Sequence, residues 1–447
     1  MATFEPSLTL RLEWAPGFAP LSSRASAVEQ PGSSHVAGSG LCPAPPPALT
    51  RRPFDQERNT SMNLSRTHAM VMITMFFLCL LPSPSSASEN QDILVGIIRW
   101  AGWSANNHHE KYLSDKQWHY RVPFFAQIEG DKVTMNEEDQ EVMDQEILYA
   151  AKAGIDYWSL NYRAWPRNPG PNFKWGRSRM HELHLASPYK DKINFCLMLQ
   201  DSLLGPSRDK HEEAARTFDY EREWDTTTDE VVGLFKQSAY QKVLGNRPLV
   251  YVFGAAKFSY FQSTRETKEG FELLARKSQK AGLGKPYVVA MTWLGSEGGK
   301  WFDEVGYDAI SGYAAPLHPE IDRNTFAGHP YRMLAEANQI YWRACQKTGR
   351  QVIPVVNEGW DARPHYVKLD QHYDRPKGAW FQRGTNEEVA QNVKTVCEWV
   401  RSNPKNTAAH SILIYAWNEF TEGGWLCPTL RDGSKRLEAV GEVLREY

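Results

Sequence analysis

Residues 411–425 read SILIYAWNEFTEGGW, from Ser411 to Trp425. The first half is an unbroken apolar run, rich in β-branched and aromatic residues; the second half is polar, with Glu419 and Glu422 three apart and two glycines behind them. An apolar run of this length that does not alternate with polar residues reads as a parallel strand buried on both faces. The segment leaving the carboxyl end of such a strand is where α/β folds place their ligands.

Seven earlier runs have the same character: ILVGII from Ile93, IDYWSL from Ile155, INFCLML from Ile193, PLVYVF from Pro248, YVVAMTW from Tyr287, YDAISGY from Tyr307 and VIPVV from Val352. Amphipathic stretches lie between them, among them EVMDQEILYAAKAG, DEVVGLFKQSAY, YRMLAEANQIYWRACQKTG and NEEVAQNVKTVCEWVRS, and RLEAVGEVLREY closes the chain. Two of these end in Gly, as helix C-termini often do. Eight strands alternating with helices predict a (β/α)8 TIM barrel, an α/β fold forming one catalytic domain over residues 88–447. An open doubly wound sheet is the alternative, and no GxGxxG turn follows the first strand to support it.

The chain has 447 residues, of which 41% are hydrophobic and 23% charged, enough apolar material for one large core. The formal net charge of -2, without a long basic block, argues against a nucleic-acid partner. Residues 1–61 are rich in Pro, Ala, Ser and Arg, and are expected to be disordered or a mis-called extension. From Met62 the text becomes MNLSRTHAMVMITMFFLCLLPSPSSASENQ, the layout of a signal peptide over residues 62–87, with Met62 as the natural start. Its apolar run is shorter than the ~20 residues that span a bilayer. The mature chain is therefore expected to be secreted or periplasmic, with no stable membrane insertion after cleavage. Cys196, Cys345, Cys397 and Cys427 remain in it without metal-finger spacing, and read equally well as bridges or as buried thiols.

Indoles, amides and carboxylates collect where the strands end. The first strand leads to Trp100 and Trp103, the second to Asn161 and Tyr162, and the fifth to Trp293. The seventh leads to Glu358, Trp360 and Asp361, and the eighth to Trp417, Asn418, Glu419, Glu422 and Trp425. Such a mixture suits a neutral polyhydroxylated ligand: carboxylates and amides for hydroxyl pairs, flat aromatic faces for sugar C–H groups. His108 and His109, being adjacent, point in different directions and do not make a metal pair.

Glu419 and Glu422 would face opposite sides of a continuing strand, but share a side in a turn. Gly423 and Gly424 permit the turn. Two like charges brought together raise the proton affinity of one of them, so that one can hold a proton while the other is ionised. Glycosidic cleavage needs that division between an acid and a base or nucleophile. Glu358 is a third candidate carboxylate.

AWNEFTEGGW resembles the WNE-x-x-EG signature of glycoside hydrolase family 99-like proteins, which include endo-α-mannosidases and the WbsX-type proteins described as glycosyltransferases. MDQEILYAAKAGIDYWSLNY and EGWDARP are similar to two further segments of that family. The resemblance implies a barrel glycosidase that needs no metal or other cofactor. It also implies Glu419 as the base acting on the sugar's own 2-hydroxyl through a 1,2-anhydro intermediate, Glu422 as acid/base, and Trp360 and Asp361 as sugar-holding residues. QDSLLG after the third strand and GGWLCPT after the motif depart from the family's pattern, so mannose specificity is not carried over. The expectation is a retaining glycoside hydrolase acting on a polysaccharide or oligosaccharide; the alternatives are a glycosyltransferase of polysaccharide biosynthesis and a non-catalytic carbohydrate-binding barrel.

Overall fold

The computed structural model describes residues 92–103, 109–164, 179–206, 212–258, 260–296, 299–322, 325–367 and 379–447. The signal-peptide and extension readings, and His108, lie outside them. Eight parallel strands are present: β1 (Leu94–Arg99), β2 (Tyr157–Tyr162), β3 (Asn194–Leu199), β4 (Arg247–Val252), β5 (Tyr287–Met291), β6 (Ala309–Ser311), β7 (Gln351–Val352 and Val355–Asn357) and β8 (Ser411–Tyr415). The run starting at Val352 contains Pro354, which has no N–H to give to a ladder and divides β7 in two. The first half pairs with β6 and the second with β8, while Ile353 N donates to Ile310 O at 3.0 Å and Pro354 O accepts from Leu413 N at 3.0 Å. With β1 beside β8, the sheet closes on itself as the predicted (β/α)8 barrel.

One principal helix follows each strand: α1 (Gln140–Lys152), α2 (Met180–Ala186), α3 (Tyr220–Phe235), α4 (Thr264–Lys280), α5 (Lys300–Val305), α6 (Tyr331–Lys347), α7 (Asn386–Ser402) and α8 (Lys435–Leu444). Local chemistry sets their starts. The Thr385 hydroxyl accepts from Glu388 N at 3.1 Å while the Glu388 carboxylate accepts from Thr385 N at 2.8 Å, a capping box that begins α7. α3 starts well before the apolar stretch that announces it, because Asp219 caps it by accepting from Arg222 N at 3.0 Å.

The barrel interior is packed with side chains. Tyr157 of β2 reaches Tyr251 of β4 at 2.8 Å and Ser411 of β8 at 2.9 Å, so hydroxyls from three non-adjacent strands satisfy one another in an otherwise apolar space. Gly96 makes room for the Tyr157 ring: a Cβ there would lie 2.2 Å from it. All four described cysteines are free and buried.

A buried ion pair joins the top of β1 to α1. Arg99 donates to Glu146 Oε2 from Nε at 2.9 Å and Nη2 at 2.6 Å, and Glu146 Oε1 accepts from Trp417 Nε1 at 2.8 Å. Both charged side chains are fully buried, so removing one strands the other. Glu146→Ala is expected to lower stability by about 3–5 kcal/mol in denaturant titration. A loss under about 1 kcal/mol would show that Glu137, 3.6 Å from Arg99, takes over as partner.

Candidate active site

β8 hands its pairing on before it ends: Trp417 N donates to Ile98 O at 2.8 Å, so the chain is still aligned with β1 when it reaches Glu419. There it turns. Glu419 O accepts from the N–H groups of Glu422 (3.1 Å), Gly423 (3.0 Å) and Gly424 (3.2 Å), and Glu419 N donates back to Gly424 O at 2.9 Å. Gly423 adopts φ +89°, where a side chain is strained, and a Cβ on it would lie 2.3 Å from Asp361 N. The facing residue is under the same constraint, since a Cβ on Gly359 would lie 2.0 Å from Gly423 O. The loops after β7 and β8 therefore cross backbone to backbone, and Asp361 N donates to Glu422 O at 2.6 Å at the crossing.

The turn carries both carboxylates to the barrel mouth. Glu419 is 5% exposed and its Oε1 accepts from the hydroxyl of Tyr313, which follows β6. Glu422 is half-buried and its Oε2 accepts from the hydroxyl of Tyr415, the last residue of β8, at 2.8 Å. The two tyrosine rings are 5.3 Å apart, edge to face. Phe253 packs on Tyr313 at 5.0 Å, Trp360 on Tyr415 at 5.6 Å, and Trp293 on Trp360 at 6.3 Å, so the loops after β4, β5, β6 and β7 and the end of β8 supply one aromatic surround.

Burial raises the proton affinity of both carboxyls. Glu419 is pushed well above the usual carboxylate range, by burial first and the Glu422 charge second, with the Tyr313 hydrogen bond opposing. Glu422 is raised by burial and partly brought back by Tyr415. Burial likewise holds the phenols of Tyr313 and Tyr415 far above their ordinary value, so both remain donors. Among the described residues no group of His, Cys, Asp and Glu is arranged to hold a metal ion.

The structure sorts the residues expected at the site into two shells. Trp100, Trp293 and Trp360 are half-buried at the mouth with the two glutamates. Trp103, Trp417 and Asn418 are fully buried beneath it, a correction to their expected contact with ligand: Trp103 Nε1 donates to Asn418 O at 2.8 Å, and Asn418 exchanges two 2.8 Å bonds with the Trp100 backbone. Tyr162 points away from the barrel axis, donating to Glu230 of α3 at 2.8 Å, because neighbours along a strand face opposite sides. Its neighbour Asn161 is 5% exposed, and its buried Oδ1 has no hydrogen-bond partner.

Glu358 is 1% exposed, with one oxygen on Arg436 and the other on Trp425 N at 2.7 Å, a structural ion pair that corrects its expected place as a third candidate carboxylate. Asp361 is held by Arg121, and by Arg363 at 2.8 and 2.9 Å, leaving it little capacity for a sugar. Trp425 is buried with the Arg121 and Arg383 guanidiniums over its ring at 5.5 and 5.4 Å. Sequence reading did not single out Tyr313, Tyr415 or Arg121. Tyr313 ends the sixth apolar run and Tyr415 lies two residues before Trp417 in the eighth, positions that could have flagged them.

The family model described as glycosyltransferase WbsX matches residues 209–440, more than half of the chain. The chain belongs to the WbsX family. That membership agrees with the resemblance carried by AWNEFTEGGW, and the matched span includes every residue of the Glu419–Gly424 turn. A solved structure described as a glycoside hydrolase-like protein is 15% identical over 79% of this WbsX-family chain and 94% of its own length, with a TM-score of 0.52, a likeness of fold. The GH99 endo-alpha-mannosidase from Bacteroides thetaiotaomicron is also 15% identical, over 79% of this chain and 96% of its own, with a TM-score of 0.49. No curated protein matches the sequence.

The raised carboxyls give stability a pH dependence of definite sign. Above the unfolded value of about 4.3, the folded state holds protons that the unfolded state has lost. The pair's contribution is therefore most favourable below that pH and is lost as pH rises through the folded values. Glu419→Gln removes this penalty, so its melting temperature should exceed that of the wild type by more at about pH 7.5 than at about pH 4.5. Equal differences at the two pH values would show that Glu419 titrates normally.

Proposed function

We propose that this chain is a secreted retaining glycoside hydrolase acting on a polysaccharide or glycan, with Glu419 and Glu422 as the reacting pair. The observation that carries the reading is the placement of two carboxylates on one tight turn at the C-terminal mouth of the barrel, each bonded to a tyrosine hydroxyl. A neutral acid and an ionised base side by side are the requirement for breaking a glycosidic bond. Export is supported by the signal-like text from Met62, and among the described residues no helix is long and apolar enough to cross a membrane.

The roles follow the family resemblance. Glu419 takes the proton of the sugar's 2-hydroxyl as that oxygen attacks C1, and Glu422 gives its proton to the departing oxygen. Water then attacks C1, Glu422 takes a proton from it, and Glu419 returns a proton to O2, giving net retention. In the empty site the more deeply buried Glu419 favours the proton. A sugar 2-hydroxyl donating to Glu419 stabilises its anion and shifts the proton to Glu422, which is more open to solvent. Substrate binding itself thus prepares the acid. The half-buried indole of Trp360 supplies a flat face beside the pair.

The family's description favours a second reading, glycosyl transfer, in which a sugar hydroxyl replaces water as the acceptor. One assay separates the two: the chain from Ser88 onward is incubated with polysaccharides and aryl glycosides, with and without sugar-nucleotide donors. Release of sugar without a donor supports hydrolysis, whereas turnover only with a donor supports transfer. Glu422→Gln should lower turnover of an ordinary glycan by about 10²–10⁴-fold with binding retained, and unchanged turnover would remove it as the acid. Trp360→Ala should weaken glycan binding by about 1–3 kcal/mol, by analogy with stacking of bases on aromatic side chains, and unaltered affinity in calorimetry would place the sugar elsewhere.

A further inference from the structure

A buried carboxylate that the reacting pair does not use lies just ahead of α1. Glu137 is 2% exposed, and its Oε1 accepts the backbone N–H groups of Gly102 at 2.5 Å and Trp103 at 2.7 Å. Its own backbone N donates to Trp103 O at 2.9 Å. Its Oε2 accepts from Asn418 Nδ2 at 3.4 Å and lies 3.6 Å from Arg99 Nη1. Arg99 already has two short bonds to Glu146, so charge balance alone does not call for Glu137. Asn418 immediately precedes Glu419 and is bonded on both polar atoms to the backbone of Trp100, whose indole stands at the mouth.

We propose that Glu137 is the positioning residue of the site: by tying the Trp100–Trp103 turn and Asn418 into one unit, it fixes Glu419 relative to the mouth of the barrel. The proposal rests on the reading of Glu419 and Glu422 as the reacting pair. Among the described residues, the charged and titratable groups facing Glu137 are Arg99 of β1, Glu146 of α1, Arg163 beyond β2, and Glu419 and Cys427 beyond β8. Burial, only partly opposed by Arg99, pushes Glu137 up to about 7, and its charge adds to the proton affinity of Glu419. Geometry and field therefore act on the same carboxyl.

Glu137→Gln keeps the shape but sets an amide N–H2 against the donors of Asn418 and Arg99, which opens the clamp and removes the charge. On an aryl glycoside that the wild type cleaves, kcat should fall about 10-fold or more with KM within about twofold, because small displacements of a reacting group act on the rate. The acidic limb of the pH profile should move to lower pH, a change that general loss of stability would not produce. If this variant does not fold, Glu137→Asp keeps the charge but shortens the reach, and should lower kcat with the limb in place. Unchanged kcat in the folded variant overturns the proposal.

A substrate-free measurement separates this from the assignment of activity. Melting temperatures of the wild type, Glu137→Gln, Glu419→Gln and the double variant are compared from about pH 5 to about pH 8. Non-additive shifts that grow with pH support the coupling, whether or not a glycan is cleaved. Additive shifts throughout overturn it.

Discussion

Among the described residues Glu419 and Glu422 have tyrosine hydroxyls and no cation as partners, and the reason lies in how the neighbouring arginines are used. Arg99 is bonded to Glu146, Arg121 to Asp361 and Arg436 to Glu358, all as buried pairs. These two carboxyls are left with tyrosine hydroxyls, which stabilise an anion less than a guanidinium does. Burial and mutual repulsion then dominate, and the pair retains a proton above the pH at which free carboxyls lose theirs. The raised proton affinity at the barrel mouth thus follows from where the positive charge is placed elsewhere.

The same arginines build the frame that holds the pair. Arg121, from the connection between β1 and α1, donates to Asp361 O at 2.8 Å and Phe420 O at 3.2 Å, joining the loops after β7 and β8. The crossing at Gly359 and Gly423 brings these loops too close for any side chain between them. Arg436 of α8 reaches Glu358, whose second oxygen fixes Trp425 behind the turn. Together these contacts leave the Glu419–Gly424 turn little freedom. Preorganisation of this kind is what lets two carboxyls keep a fixed relation while substrate enters.

A (β/α)8 barrel does not specify a reaction, and the low identity to the solved glycoside hydrolase-like structure extends to fold alone. The functional reading therefore stands on the local chemistry of the turn, on its tyrosine partners and on the aromatic surround. Those features are compatible with hydrolysis or with transfer of a glycosyl group, because the two reactions share the acid–base step and differ in the acceptor.

The sequence by itself determined the eight strands and the closed fold, since runs buried on both faces must be apolar whatever surrounds them. It also pointed to the turn at Glu419, because paired glycines after an apolar run permit the positive φ that a tight turn needs, as at Gly423. Some helices were less legible: α4, TRETKEGFELLARKSQK, is so polar that its few apolar positions, Phe271 and Leu274 among them, emerge only against the barrel they cover. Side-chain direction was decided by tertiary structure. Trp417 and Glu419 are two residues apart, yet the first turns down to Glu146 and the second to Tyr313, and Glu358 and Glu422 look alike until Arg436 neutralises one of them. A motif names the groups that reach a strand end; which of them face the barrel mouth depends on partners 78 to 271 residues away, and those exist only once the barrel has closed.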